Sequence, residues 1–283
     1  MIVSHRHRYL FVELPHTGST AISRELRTFY DGEDILRKHF YLEDFLRHAR
    51  PEERGYFTFS GIRNPLDEAV SVYLKYKANH SSHFTDPTER VENGGWVTPS
   101  HLKRFRFIQQ GADFPAYFRR FYRLPYDNWS SLSHARMDHV LRFERLQEDF
   151  AELLRRLGIE PVRPLPVLNR TGQKSGFLSY YTPDIRRRAQ WIFGPFLKRW
   201  GYELPAEWGL PPASPMDELA YRATVAAKNL YRRRIDSLRR DRWIAARAAH
   251  REALAAAAAA QPPTQRAQMT QAPMTGSSTL DQS

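Results

Sequence analysis

The chain has 283 residues, 41% hydrophobic and 26% charged, a balance that can bury a substantial core and excludes a wholly disordered protein. Lysine and arginine number 43 against 31 acidic residues, so the net charge is +12 and the expected partners are anionic. The absence of cysteine excludes disulfide scaffolds, thiolate metal sites and cysteine nucleophiles. No apolar run reaches the ~18 residues of a transmembrane helix. The opening MIVSHRHRYLFVELP lacks the apolar core and cleavage site of a signal peptide, and a reducing, cytoplasmic compartment is expected.

In chain order, Tyr9–Leu14 is a short apolar, aromatic and β-branched run ended by Pro15, and is predicted as a buried strand. His16, Thr17, Gly18, Ser19 and Thr20 are turn residues, and a helix is predicted from about Thr20 to Tyr30, with Ala21, Ile22, Leu26 and Phe29 on one face. A short helix is predicted around Leu42–His48 and a second strand over Tyr56–Ile62. Asn64 and Pro65 then start another helix, because asparagine caps free amides and proline suits the first turn, with Asp67 and Glu68 favouring the same end. Residues 78–130 show no clear period. A third strand is predicted over Met137–Phe143, followed by a helix through Leu146, Phe150, Leu153 and Leu157 that Gly158 stops. Further helices are predicted over Pro183–Arg199 and Glu218–Ala260. The alternation of strand and helix predicts an α/β fold, a parallel sheet covered by helices. The expected organisation is a main domain over 1–210, a basic helical extension over 215–260 and a disordered tail over 261–283, whose Gln, Pro, Thr and Ser offer little apolar surface.

A strand running into a small polar loop that opens a helix is a cradle for a phosphate-like anion, since free amides and the helix dipole both favour negative charge there. Gly18 permits close approach of the backbone, while Thr17, Ser19 and Thr20 offer hydroxyls. The loop is not the nucleotide triphosphatase type, because no G-x-x-x-x-G-K-[ST] occurs. Arg63 follows the second strand, and Ser71 stands eight residues on, so a guanidinium fork and a hydroxyl can converge on one phosphate.

Together these segments resemble the nucleotide-binding signature of the sulfotransferases that use 3′-phosphoadenosine 5′-phosphosulfate (PAPS), with the carbohydrate and bacterial branch most similar. The family's first motif, P-K-T-G-[ST]-[ST], is matched by Pro15-His16-Thr17-Gly18-Ser19-Thr20; its second, R-[DN]-P-x-x-R-x-x-S-x-Y, is matched by Arg63-Asn64-Pro65, Ser71 and Tyr73. Lys38-His39, Arg142-Phe143-Glu144 with Leu146 and Asp149-Phe150, Leu165–Asn169, Tyr180-Tyr181-Thr182 and Trp200-Gly201-Tyr202 are similar to further family motifs. The resemblance spans roughly residues 9–205. It implies a P-loop-like fold in which the first loop holds the 5′-phosphosulfate and Arg63 with Ser71 binds the 3′-phosphate. In two places the chain departs from the pattern: His16 replaces the lysine that contacts the transferred sulfuryl group, and Glu68 replaces a frequent arginine.

The implied activity is transfer of a sulfuryl group to a hydroxyl of a glycan, glycolipid or related acceptor. His39 is the expected general base, with His80, His83 and His101 as rivals, and His16 is expected to act at the sulfuryl group, protonated if the phosphates raise its pKa. Arg24 and Lys174 are candidate substitutes for the missing lysine, and Arg170 or Lys174 could close over the nucleotide. Trp96, Phe105, Phe107, Tyr117 and Trp129 are candidates for acceptor recognition. No metal is expected, since the histidines lack ligand spacing, and no nucleic-acid partner is expected. The alternatives are a degenerate nucleotide-binding protein that has lost activity with the lysine, and an anionic-polymer binder using the basic C-terminal helix, which could also touch a membrane surface.

Overall fold

The computed structural model describes residues 1–93, 95–128, 134–166, 176–238, 240–241 and 244–245. Its centre is set by apolar runs that can be satisfied only as buried strands. β2 (Tyr9–Phe11), β4 (Phe57–Ile62) and β5 (His139–Arg142) lie side by side and parallel, with Phe11 opposite Phe59 and Gly61 opposite Leu141. Parallel neighbours need crossovers, and helices supply them. α1 (Ser19–Phe29) and α2 (Leu42–His48) lie in the chain between β2 and β4; α3 (Pro65–Lys77), α4 (Pro99–Gln109) and α5 (Phe114–Phe121) lie between β4 and β5.

The sheet is mixed rather than wholly parallel. β1 (Ile2–Ser4) pairs antiparallel with β2 across a tight turn in which Arg8 has φ 53°, and β3 (Glu33–Asp34) pairs antiparallel with β1. The order is β3-β1-β2-β4-β5. Three- and two-residue strands at one edge carry too little pattern to be read from sequence, and the exposed Glu33 and Asp34 put charge on the outermost strand.

α6 (Leu146–Arg156) joins α1 over a core of Ile22, Leu26, Phe59, Phe150, Leu153 and Leu154. Tyr9, Phe11 and Phe59 pack in it ring to ring, Phe11 and Phe59 stacked at 5.1 Å. A second core joins α3, α4 and α5 to α7 (Pro183–Arg199) through Tyr73, Phe114, Tyr117, Phe118 and Phe193. The aperiodic stretch 78–130 thus holds α4 and α5, and its aromatic richness is largely core: Tyr117 is fully buried, while Phe105 and Phe107 pack partly buried against the cluster, which withdraws Tyr117 from acceptor recognition.

One compact unit runs Met1–Arg233, and a second unit begins at Arg234. α8 (Pro215–Tyr231) therefore belongs with the main unit, not with a separate extension beginning at 215. It starts on a Ser214–Asp217 capping box, and Lys228 Nζ donates to the Pro125 carbonyl at 3.0 Å. The expected tail over 261–283 lies outside the described residues. Among the described residues no helix is long and apolar enough to cross a membrane.

Candidate functional site

The loop between β2 and α1 has the form of an anion cradle. His16 and Gly18 both take left-handed backbone, φ 63° and 77°, before α1 begins at Ser19. α1 has no side-chain cap and no acid in its first turn. The amides of His16, Thr17, Gly18, Ser19 and Thr20 have no acceptor among the described residues. A Cβ on Gly18 would stand 2.6 Å from Leu146 Cδ2, so a side chain there meets both a strained φ and α6.

The adjacent strand is shaped to admit the loop. A Cβ on Gly61 would lie 2.9 Å from Thr17 Cβ and from the Thr17 carbonyl. We expect Gly61→Ala to displace the loop, cost roughly 1–3 kcal/mol of stability through overpacking, and weaken anion binding; unfolding and titration curves unchanged from wild type would refute the contact's importance.

The loop's side chains do not all serve as expected. Thr17 is fully buried and its Oγ1 donates to the Leu14 carbonyl at 2.9 Å, so its hydroxyl is committed to the fold and not offered to a ligand. Ser19 is buried at the first helical position, and Thr20 is exposed and accepts from Lys38 Nζ at 3.1 Å. Lys38 thus reaches the first turn of α1. His39, at φ 67°, has Nδ1 3.1 Å from the Glu13 carbonyl; since that oxygen can only accept, Nδ1 carries the proton and Nε2 keeps its lone pair. Burial pushes the His39 pKa down to about 4, against a smaller upward pull from that carbonyl.

Arg63 leaves β4 with 8% exposure and reaches the loop: Nη1 lies 3.4 Å from the His16 carbonyl. Its fork is taken by Asp67, at 2.8 Å from Nε and 2.7 Å from Nη2, and its guanidinium lies 4.1 Å from the centre of the Phe143 ring. The i,i+4 spacing of Arg63 and Asp67 could have announced this pair. Ser71 is 2% exposed, and its hydroxyl has no partner among the described residues. Glu68, on the same helix face, accepts from Tyr126 Oη at 2.6 Å, and burial raises its pKa to about 7.

His16 is pushed down to about 3, first by burial, then by the charges of Lys75, Arg63, His39 and His101. It is neutral in the unliganded protein at physiological pH. Lys75 was absent from the sequence-based candidates. It is half-buried on α3, and its ammonium has no hydrogen-bond or ion-pair partner among the described residues.

The rival histidines separate by their bonds. The Thr98 amide donates to His101 Nδ1 at 3.1 Å in the cap of α4, which occupies the lone pair a neutral base would use. His83 Nδ1 lies 3.0 Å from Glu89 Oε1, and His80 stacks edge-on to His83 at 6.1 Å. Arg24 is exposed on α1 with no side-chain hydrogen bond or ion pair among the described residues, while Trp129, Arg170 and Lys174 lie outside the described residues.

Segments far apart in sequence brace the turn after β4. Glu144 Oε1 accepts from the Asn64 amide at 2.6 Å, and Glu144 Oε2 accepts from Tyr202 Oη at 3.0 Å. Arg142 Nη2 donates to the Trp200 carbonyl at 2.8 Å and its guanidinium lies 4.7 Å from the centre of the Tyr202 ring. Asn64 Oδ1 caps α3 through the Leu66 amide at 2.9 Å. The turn that follows Arg63 is therefore bridged through Glu144 to Tyr202, a segment distant in sequence. Among the described residues no group of His, Asp and Glu is arranged to hold a metal ion. No protein-family model matches the chain, and no curated protein or solved structure matches it either.

Proposed function

We propose that the chain is a cytoplasmic, metal-independent sulfotransferase that moves a sulfuryl group from PAPS to a hydroxyl of a glycan, glycolipid or similar acceptor. In this reading the loop is P-loop-like and seats the 5′-phosphosulfate on its amides, and Arg63 and Ser71 meet the 3′-phosphate. The observation that carries the reading is the run of unpartnered amides from His16 to Thr20, opening beside Arg63 and His39 with no acid in the first helical turn. Such a cradle favours a tetrahedral oxyanion through the helix dipole and successive N–H donors.

His39 suits a base. Its free Nε2 would take the acceptor's proton as the acceptor oxygen bonds to sulfur and the bond from sulfur to the bridging oxygen breaks, leaving the electron pair on the departing phosphate. The amides and nearby cations would stabilise that developing charge without reorganising. Arg63 would have to share its fork between Asp67 and a phosphate, so its contribution rests mainly on Nη1.

The test has two parts. Calorimetric titration should detect binding of 3′-phosphoadenosine 5′-phosphate, and radiolabelled sulfate should pass from PAPS to a mixture of cell glycans. Absence of nucleotide binding would sink the reading altogether. Binding without transfer would favour the degenerate member, a second reading that the neutral His16 at the sulfuryl position supports.

A further inference from the structure

The permanent charges around the loop are unequally committed. Lys38 donates to Thr20, and the fork of Arg63 is taken by Asp67. Lys75 is half-buried and has no partner among the described residues. It stands four residues after Ser71 and seven after Glu68, so all three share one face of α3. Ser71 on that face is 2% exposed.

The groups that face Lys75 are mostly of its own sign. Its pKa is lowered first by burial and then by Arg63, with a smaller effect from Lys38, against the opposing pull of Glu68. His16 on the loop and His80 beyond α3 also feel its charge, and His16 feels it ahead of Arg63. An ammonium half withdrawn from water beside other cations costs folding free energy. Among the described residues it has no ion-pair partner to offset that cost, whereas a bound oxyanion would supply one.

We propose that Lys75 binds the anionic group seated on loop 15–20, supplying from α3 the permanent positive charge that the loop itself lacks at His16. The assignment rests on the phosphate- or sulfate-binding reading of that loop. It makes Lys75 a ligand-contacting residue reaching across from the neighbouring helix.

The experiment titrates the full chain with 3′-phosphoadenosine 5′-phosphate and, separately, with inorganic pyrophosphate. The proteins are wild type, Lys75→Met, Lys75→Arg, the double variant His16→Lys/Lys75→Met, and Lys103→Met as an exposed α4 control. Lys75→Met should weaken binding of the nucleotide by tenfold or more, Lys75→Arg should stay within about threefold, and His16→Lys should recover much of the loss, in keeping with a lost charge-assisted contact. Lys103→Met should bind like wild type. Lys75→Gln replaces the methionine variant if circular dichroism shows that the latter does not fold. Wild-type nucleotide affinity in Lys75→Met overturns the assignment and leaves the nucleotide reading intact. Lys75-dependent binding of pyrophosphate without nucleotide binding sustains the assignment and overturns the nucleotide reading. Binding of neither anion overturns both.

Discussion

His39→Ala should lower sulfuryl transfer by roughly two to four orders of magnitude, the usual worth of a positioned general base, while nucleotide affinity stays near wild type. The reason is the tautomer. The Glu13 carbonyl fixes the proton on Nδ1, so Nε2 is left as an acceptor. Because burial keeps the pKa at about 4, the ring is neutral from pH 5 upward, and the base form does not become limiting between pH 6 and 8. His16, at about 3, is neutral over the same range. A decline of activity with rising pH therefore cannot come from loss of a proton on either unliganded histidine. His39→Gln separates positioning from proton transfer: its amide can still meet the Glu13 carbonyl but cannot take a proton, and it should be as slow as alanine. Wild-type turnover in either variant would redirect attention to His83, whose Nδ1 is held by Glu89 and whose Nε2 is likewise open.

Much of this arrangement could be read before any coordinates. α2 and α7 have the predicted bounds, and β2, β4, β5 and α6 lie within a few residues of theirs, because each carries a strong apolar period and a clear stop. β1 and β3 escaped because two or three residues have no period. α4 and α5 escaped for the opposite reason: with Phe105, Phe107, Phe114, Tyr117, Phe118 and Phe121, apolar groups crowd the turns and blur the contrast between faces.

The site divides along the same line. Gly18 and the loop at the start of α1 follow from local sequence, whereas His39 was singled out by the family resemblance. What Thr17 and Arg63 do with their polar atoms follows from neither, since the Leu14 carbonyl and Asp67 take them only in the folded chain. Lys75 is the sharpest case. Its spacing from Ser71 was visible, but a lysine becomes informative only when burial and the absence of a partner are known together.

Glu68→Gln should stabilise the protein at alkaline pH and leave it nearly unchanged at pH 5. Burial raises this carboxyl from 4.5 to about 7, so the folded state holds its proton more tightly than the unfolded chain does. A raised carboxyl contributes stability below the unfolded value and loses it as pH climbs through the folded one. The loss should begin near pH 4.5 and finish near pH 8, reaching at most about 3.5 kcal/mol, from about 1.4 kcal/mol per pKa unit. Glutamine keeps an oxygen for the Tyr126 hydroxyl but never ionises, so its advantage in urea unfolding should grow steadily from pH 5 to 8.5. Glu68→Ala, which strands the buried Tyr126 hydroxyl, should instead be destabilised at low pH. The same titration acts on the site, because the carboxylate that forms near pH 7 faces Arg63 and Lys75 and competes with any incoming anion. Wild-type affinity for 3′-phosphoadenosine 5′-phosphate should therefore fall between pH 6 and 8, and Glu68→Gln should remove the carboxylate's share of that fall. A stability gap between the two proteins that is constant with pH, or that narrows as pH rises, would show that Glu68 is already ionised in the fold.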